Sequence, residues 1–123
     1  YFLTLGRLRN ALNDTVVREN RTRHNKVHPT MKPVALVVHF LRNSSRPGDT
    51  VLDLCGGSGT TLVACEKTRR QARLMELDPK YCDVICQRYQ ELTGQSAVLL
   101  GTGQSFADLV NASEVHDGGP PHE

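Results

Sequence analysis

Apolar residues recur at two spacings along the chain, and the change between them predicts where helices and strands lie. From Val34 to Leu41 they return every three or four residues, which predicts a helix with one buried face. Pro33 suits the first position of that helix. Residues 50–54, with Val51, Leu52 and Leu54 as apolar positions, predict a buried strand. Helical spacing returns at 60–68, with inward positions at Leu62, Val63 and Cys65.

Predicted strands and helices continue to alternate between residues 72 and 100. Residues 72–77 predict a second strand, and Asp78 followed by Pro79 predicts the cap and first turn of a helix that ends near Gly94. Residues 96–100 predict a short third strand. Strands that alternate with helices predict an α/β fold, in which a parallel sheet has flanking helices and right-handed crossovers.

Three regions divide the 123 residues. Residues 1–27 are polar and basic with weak periodicity, so we expect an irregular N-terminal segment. Residues 28–101 hold the α/β pattern, and a chain of 123 residues is large enough for a single core. Residues 102–123 are expected to be a weakly structured tail with one helical turn at 106–110. Because the first residue is Tyr1 and not Met, we interpret the sequence as a fragment.

Charge and cysteine content narrow the function classes. Residues 1–32 hold seven Arg and Lys against two acidic residues, which is equally consistent with a phosphate-contacting surface and with a solvated loop. No apolar run approaches the roughly 20 residues of a membrane span. Since no Cys-x-x-Cys pair occurs, we expect four small buried thiols in a reducing cytoplasm, with a metal site as the weaker alternative. Cys82 and Cys86 share the predicted core face of their helix.

The segment Asp53-Leu-Cys-Gly-Gly-Ser-Gly-Thr-Thr61 is predicted to be a strand end, a glycine-rich turn and a helix start. This is a common way to bring backbone against a nucleotide-like ligand. A phosphate-binding P-loop would need a Lys where Thr60 stands. A dinucleotide fingerprint would need a third glycine where Leu62 stands. A nicotinamide cofactor is therefore possible but disfavoured.

Two carboxylates indicate which ligand suits the turn. Asp53, at the end of the first strand, would repel a diphosphate and would suit a ligand with an ammonium or sulfonium group, such as S-adenosylmethionine. It could equally satisfy backbone donors in the turn, and the two roles are compatible. Glu76 lies about 20 residues after the glycines, where an acid commonly accepts hydrogen bonds from ribose hydroxyls. Its alternative role is a solvated charge at a strand end. Asp78 is better placed as a helix cap.

A further motif, His28-Pro-Thr-Met-Lys-Pro33, joins the glycine turn and Met75-Glu-Leu-Asp-Pro-Lys-Tyr81. Together they closely resemble the DNA amino-methyltransferases of bacteria and phages, across residues 27–100. The resemblance is to the permuted group, in which the cofactor motifs follow the catalytic motif. It implies a partial Rossmann-like fold that depends on S-adenosylmethionine, in a DNA modification or restriction–modification enzyme.

The resemblance also implies roles for individual residues. Lys32 would pair with the cofactor's carboxylate, and Glu76 would accept from the ribose. Tyr81 is more consistent with packing. Cys55 stands where the family usually has an aromatic ring over the cofactor, and we give a nucleophilic role for it little weight. The implied cofactor-binding set is His28, Thr30, Lys32, Asp53, Cys55, Gly56, Gly57, Ser58, Gly59, Thr60, Thr61 and Glu76.

The family's catalytic motif, Asp/Asn/Ser-Pro-Pro-Tyr/Phe/Trp, is not found in the sequence. The only Pro-Pro pair, Pro120-Pro121, has neither the acceptor before it nor the aromatic residue after it. No catalytic residue and no metal ligand are therefore predicted. We expect the cofactor-binding part of an enzyme that acts on double-stranded DNA, with catalysis completed by a missing N-terminal segment or a companion chain. The alternatives are a binding-only module derived from a methyltransferase and, less favoured, a nicotinamide-dependent oxidoreductase.

Overall fold

The computed structural model describes residues 31–116, with side chains to Ser113. The predictions for residues 1–27, and for Pro120-Pro121, lie outside the described residues. The elements follow one another as α1 (Val34–Ser44), β1 (Thr50–Asp53), α2 (Thr60–Thr68), β2 (Gln71–Leu74), α3 (Pro79–Thr93) and α4 (Phe106–His116).

The sheet consists of β1 and β2, which pair in parallel with Thr50 opposite Gln71 and Asp53 opposite Leu74. Helix α2 makes the connection between them, so the predicted parallel βαβ arrangement is confirmed. Strand β2 ends at Leu74, three residues before its predicted end. Beyond it the chain turns, because the side chain of Glu76 accepts hydrogen bonds from the next two backbone N–H groups.

The predicted third strand at 96–100 is wrong. Val98 forms an isolated antiparallel bridge with Ser105, and the backbone N–H of Leu99 donates to the carbonyl of Gln104 at 2.9 Å. The chain folds back through a turn at 100–102, so the backbone of this apolar run pairs locally and does not join the sheet.

Helix α4 is longer than the single turn predicted at 106–110, since it extends over Phe106–His116. Ser105 and Asp108 make a reciprocal cap: Ser105 Oγ accepts from the N–H of Asp108 at 3.2 Å, and the Asp108 carboxylate accepts from the N–H of Ser105 at 3.2 Å. This is a capping box, in which each side chain accepts a hydrogen bond from the backbone N–H of the other residue. Both N–H groups would otherwise lack a partner at the start of the helix. The spacing Ser105-Phe-Ala-Asp108 carried that signal in the sequence.

Among the described residues, the core lies on one side of the sheet. Val37 and Leu41 of α1 pack with Val51 of β1 and with Ala64 and Cys65 of α2. On the opposite side of the sheet Leu52 and Leu54 are each 62% exposed. The first strand is thus covered on one face, where the sequence predicted a buried strand, because no described element packs on the other face. In the same way Cys82 and Cys86 are half-buried on α3 and not in the core.

Arg70 joins the ends of α1 and α2. Its side chain is almost fully buried, and the guanidinium donates to the carbonyls of Ser45 at 2.9 Å and Thr68 at 2.5 Å. Carbonyls at a helix C-terminus lack intrahelical partners and carry partial negative charge, so a cation satisfies both needs. Arg70 therefore fixes the two helices to each other at the end of the sheet opposite the glycine turn.

Arg69, the C-cap of α2, holds a backbone conformation that favours glycine. Its φ of 57° is the only positive φ of a non-glycine residue in the described part of the chain. The left-handed conformation costs an L-residue about 1–2 kcal/mol, partly offset in glycine by a more flexible unfolded chain. Arg69→Gly is therefore expected to raise the free energy of unfolding by about 0.5–1 kcal/mol, measured by urea denaturation. Arg69→Ala is the control, because it removes the charge and keeps Cβ; an equal gain with alanine would contradict the backbone explanation.

Candidate cofactor site at the glycine turn

The glycine turn lies where the chain leaves β1 and enters α2, at the carboxyl end of the sheet. The backbone N–H of Gly56 donates to the carbonyl of Met75 at 2.8 Å, and that of Gly59 donates to the carbonyl of Gly56 at 2.9 Å. Gly59 caps α2 in the left-handed conformation, with φ of 77°. The turn is thus attached to the segment after β2, and the first N–H groups of α2 lie at the same edge of the sheet.

Asp53 organises the turn with both of its carboxylate oxygens. One oxygen accepts from the backbone N–H of Cys55 at 3.0 Å, and the other accepts from the hydroxyl of Thr61 at 2.5 Å. The carboxylate therefore links the end of β1 to the first turn of α2. This is the turn-satisfying role expected as one of two, and it leaves a negative charge beside the glycines. A contact between Asp53 and a positively charged cofactor stays a prediction.

Glu76 is connected to the glycine turn directly. Its Oε2 accepts from the backbone N–H of Gly57 at 2.6 Å, while Oε1 accepts from the N–H groups of Leu77 at 2.8 Å and Asp78 at 2.9 Å. These donors, the N–H of Asp78 foremost and then that of Gly57, hold the pKa of Glu76 below its usual value of 4.5. Glu76 is therefore an ionised acceptor that fixes the turn, and not a free charge at a strand end.

The two sides of the turn differ in the space they leave. A Cβ atom on Gly56 or Gly59 would lie 3.3 or 3.1 Å from side-chain carbons of Ile85, so α3 closes that side. A Cβ atom on Gly57 would meet only the carbonyl of Cys55, at 3.9 Å. The open side of the turn, where a ligand can reach the backbone, is therefore at Gly57.

The remaining predicted site residues divide into three groups. Ser58, Thr60 and Thr61 are buried, so these positions would present backbone to a ligand. Cys55 and Lys32 are exposed. His28 and Thr30 lie outside the described residues. The structure thus brings Asp53, Glu76 and the glycines together, and the individual roles stay predictions.

Arg88 belongs to this site and was missed by sequence reasoning. From α3 its guanidinium donates to the carbonyl of Ser58 in the turn and to the sulfur of Met31 at 3.4 Å. The signal in the sequence was weak: Arg88 follows Ile85 by three residues and so shares its helix face, but an Arg at such a position is ordinarily solvent-exposed.

The cysteines are free thiols in different surroundings. Burial raises the pKa of Cys65 to about 11, and it also raises the pKa of Cys86; both are neutral at physiological pH. No disulfide forms, and Cys55 is the exposed member of the set. Among the described residues, no three His, Cys, Asp or Glu side chains are placed to hold a metal ion.

Between residues 31 and 116, no helix is both long enough and apolar enough to cross a membrane.

Comparison with known proteins identifies relatives of the region that forms the site. The family model described as DNA methylase, of the N6/N4 type, matches residues 9–87. The type II methyltransferase M.Cfr9I of Citrobacter freundii is 41% identical over 58 residues, which are 47% of this chain and 19% of that protein. M.HinfI of Haemophilus influenzae is 37% identical over 67 residues, 54% of this chain and 19% of that protein. The chain thus spans about a fifth of the length of these relatives.

A solved structure agrees in three dimensions as well as in sequence. The M1.HpyAVI–SAM complex superposes with a TM-score of 0.56 at 26% identity, over 67% of this chain and 43% of that one. The partial Rossmann-like methyltransferase fold expected from the sequence is confirmed, whereas the permuted motif order stays a prediction. Since the family model matches more than half of the residues, this chain belongs to the N6/N4 DNA methylase family.

Proposed function

We propose that the chain binds S-adenosylmethionine at the open side of the glycine turn, as the cofactor-binding part of an enzyme that methylates the exocyclic amino group of adenine or cytosine in DNA. The observation that carries the proposal is the pair of carboxylates, Asp53 and Glu76, each hydrogen-bonded to the turn backbone around Gly57. The M1.HpyAVI relative crystallised with this cofactor supports it.

The residues present fit this cofactor better than a dinucleotide. Two carboxylate acceptors beside the turn suit ribose hydroxyls and a sulfonium group, and they would repel a diphosphate. Oε2 of Glu76 has one hydrogen-bond donor where Oε1 has two, so Oε2 is the oxygen with capacity for a ribose hydroxyl. Lys32, exposed just before α1, would pair with the cofactor's carboxylate. His28 and Thr30 lie in the same sequence motif as Lys32, and this motif is proposed to cover the methionine end of the cofactor.

In this proposal, the protein promotes methyl transfer mainly by orienting the cofactor's methyl group towards the amino group of the base. The bound cofactor supplies an electrophilic methyl group, and Asp53, Glu76 and the turn backbone hold it in place. Bringing two reactants into alignment can by itself contribute much of a rate enhancement. The acceptor that holds the amino group of a flipped base would come from polypeptide outside residues 1–123.

That further polypeptide, an N-terminal segment or a companion chain, is supported by the uncovered face of the sheet. Leu52 and Leu54 are exposed side by side on that face, and a contiguous exposed apolar patch marks a surface for interaction with another polypeptide. Double-stranded DNA would be the substrate of the assembled enzyme, and the basic residues of 1–32 are a proposed contact to its phosphates. The four free thiols fit a cytoplasmic location.

The isolated chain is expected not to methylate DNA, because it has no acceptor and aromatic pair of the family's type. The measurement is transfer of a labelled methyl group to unmethylated genomic DNA, with cofactor binding confirmed in the same sample. Robust transfer by the purified chain would contradict this, and Asn10, Asn13, Asp14 and Asn20 would be the first acceptors to mutate. Inactivity that persists after a catalytic segment is supplied would favour a binding-only module.

Cross-linking tests where the cofactor lies. Ultraviolet irradiation of the chain with methyl-labelled S-adenosylmethionine, followed by peptide mapping, should place the label in peptides that contain residues 53–61 or 76–81. Excess unlabelled S-adenosylhomocysteine should suppress it, and excess NAD should not. Label confined to peptides of α1 or α4 would overturn the proposed site.

A further inference from the structure

Arg88 connects two segments that are remote in the sequence. Its guanidinium donates to the carbonyl of Ser58, 30 residues earlier, and to the sulfur of Met31, 57 residues earlier. Ser58 belongs to the glycine turn, and Met31 directly precedes Lys32. One side chain on α3 therefore holds the turn and the segment before α1 at the same time.

The surroundings of Arg88 are unusual for an arginine. The side chain is half-buried, and burial lowers the pKa of the guanidinium. The charge that acts against this effect is Glu91, on the same helix. Taking a cation out of water is costly unless its N–H groups find partners. Here the partners are a carbonyl and a thioether, which orient the guanidinium without neutralising its charge.

We propose that Arg88 is a positioning residue that fastens residues 31–33 to the glycine turn and thereby aims Lys32 at the carboxylate of the bound cofactor. The proposal rests on the proposed function for its ligand. Both bonds come from Nη1, whose two N–H groups lie in the plane of the guanidinium and point in fixed directions. A lysine ammonium, with rotatable donors on a flexible stem, would not fix the two acceptors relative to each other in this way.

The proposal predicts a selective loss of affinity. S-adenosylhomocysteine carries the carboxylate that Lys32 would meet, whereas 5′-methylthioadenosine has the same nucleoside and no amino-acid end. Arg88→Gln should weaken S-adenosylhomocysteine about tenfold, the scale of one charged hydrogen bond, and 5′-methylthioadenosine less than about twofold. Lys32→Gln should cost about tenfold alone and nothing further on top of Arg88→Gln, because coupled residues are not additive.

Two further variants separate positioning from folding. Met31→Ala removes the other partner and leaves Arg88 in place, so it should reproduce the selective loss even if Arg88→Gln unfolds the protein. Arg73→Gln is the matched control, because Arg73 is an exposed arginine whose described bond is to the neighbouring Ala72 carbonyl. It should leave both affinities unchanged.

A ligand-free measurement tests the contact itself. The chain has two methionines, Met31 and Met75. An NMR spectrum of protein isotope-labelled at the methionine methyl groups therefore shows one signal for each. Arg88→Gln should move the Met31 signal towards its position in urea-unfolded protein and leave the Met75 signal in place. An unmoved Met31 signal would overturn the fastening role.

Failure of the proposed cofactor binding and failure of the proposed role of Arg88 would give different results. Wild-type protein that binds neither ligand would contradict the proposed function, while the methionine spectrum would still decide whether Arg88 holds Met31. Wild-type binding with equal losses of both ligands in Arg88→Gln and Met31→Ala would overturn the selective role, since it would show a general effect on the turn.

Discussion

Gly57→Val is expected to abolish binding of S-adenosylmethionine, with a loss of at least about a hundredfold in affinity. The position faces the open side of the turn, so a valine side chain would occupy the place of the ligand. The φ of Gly57 is 53°, a region that β-branched residues rarely adopt. A shift of the backbone there would also displace the N–H that donates to Glu76.

Gly94→Val is the matched control for this experiment. Gly94 ends α3 with φ of 70° and has no neighbouring atom within 4 Å of its Cβ position. The substitution carries a similar backbone cost and lies away from the turn, so it should lower stability and leave affinity near that of the wild type. Both variants are measured by calorimetric titration after circular dichroism confirms folding. Wild-type affinity in Gly57→Val would show that the ligand does not approach this side of the turn.

Glu76→Gln is expected to lower cofactor affinity by at least about tenfold. The amide keeps the size of the side chain, but it replaces one acceptor oxygen with a donor, whereas Glu76 accepts from three backbone N–H groups. The substitution therefore removes both the proposed ribose contact and part of the support of the turn. Glu66→Gln, at an exposed position of α2, is the control and should have no effect.

The pH dependence gives Glu76 a second signature. Because the pKa of Glu76 is lowered in the folded protein, its contribution to stability is present above the usual value of 4.5 and is lost as pH falls through the lowered value. The difference in stability between wild type and Glu76→Gln should thus persist at mildly acidic pH and disappear only below pH 4.5. A difference that disappears near neutral pH would contradict this assignment.

Local signals in the sequence predicted the helices best. The bounds of α2 follow from helical spacing after the glycines, and α3 begins and ends where Asp78-Pro79 and Gly94 indicate, with the Asp78 side chain accepting from the N–H of Lys80. The segment 96–100 was wrongly predicted to be a strand of the sheet. Strand propensity does not reveal whether the backbone will pair with another strand of the sheet or with residues a few positions later. The sequence also overestimated the burial of β1. Whether the second face of a strand is covered depends on the packing of other helices and strands, which the strand's own residues do not reveal.

The site was predictable to the extent that its residues act through neighbours in the sequence. Asp53 and Glu76 stood out because strand ends followed by glycines or a helix cap are typical ligand positions. The bond between Glu76 and Gly57 spans 19 residues and exists only because β1 and β2 pair in parallel in this register. The position of Arg88 depends on how α3 packs against the turn, which no local pattern encodes.

The most direct test of cofactor binding at the glycine turn is a calorimetric titration of the wild-type chain with S-adenosylhomocysteine and, separately, with NAD. We predict one binding site per chain for S-adenosylhomocysteine, no heat with NAD, and loss of the site in Gly57→Val. Clear binding of NAD together with no heat from S-adenosylhomocysteine or S-adenosylmethionine at millimolar concentration would contradict this prediction.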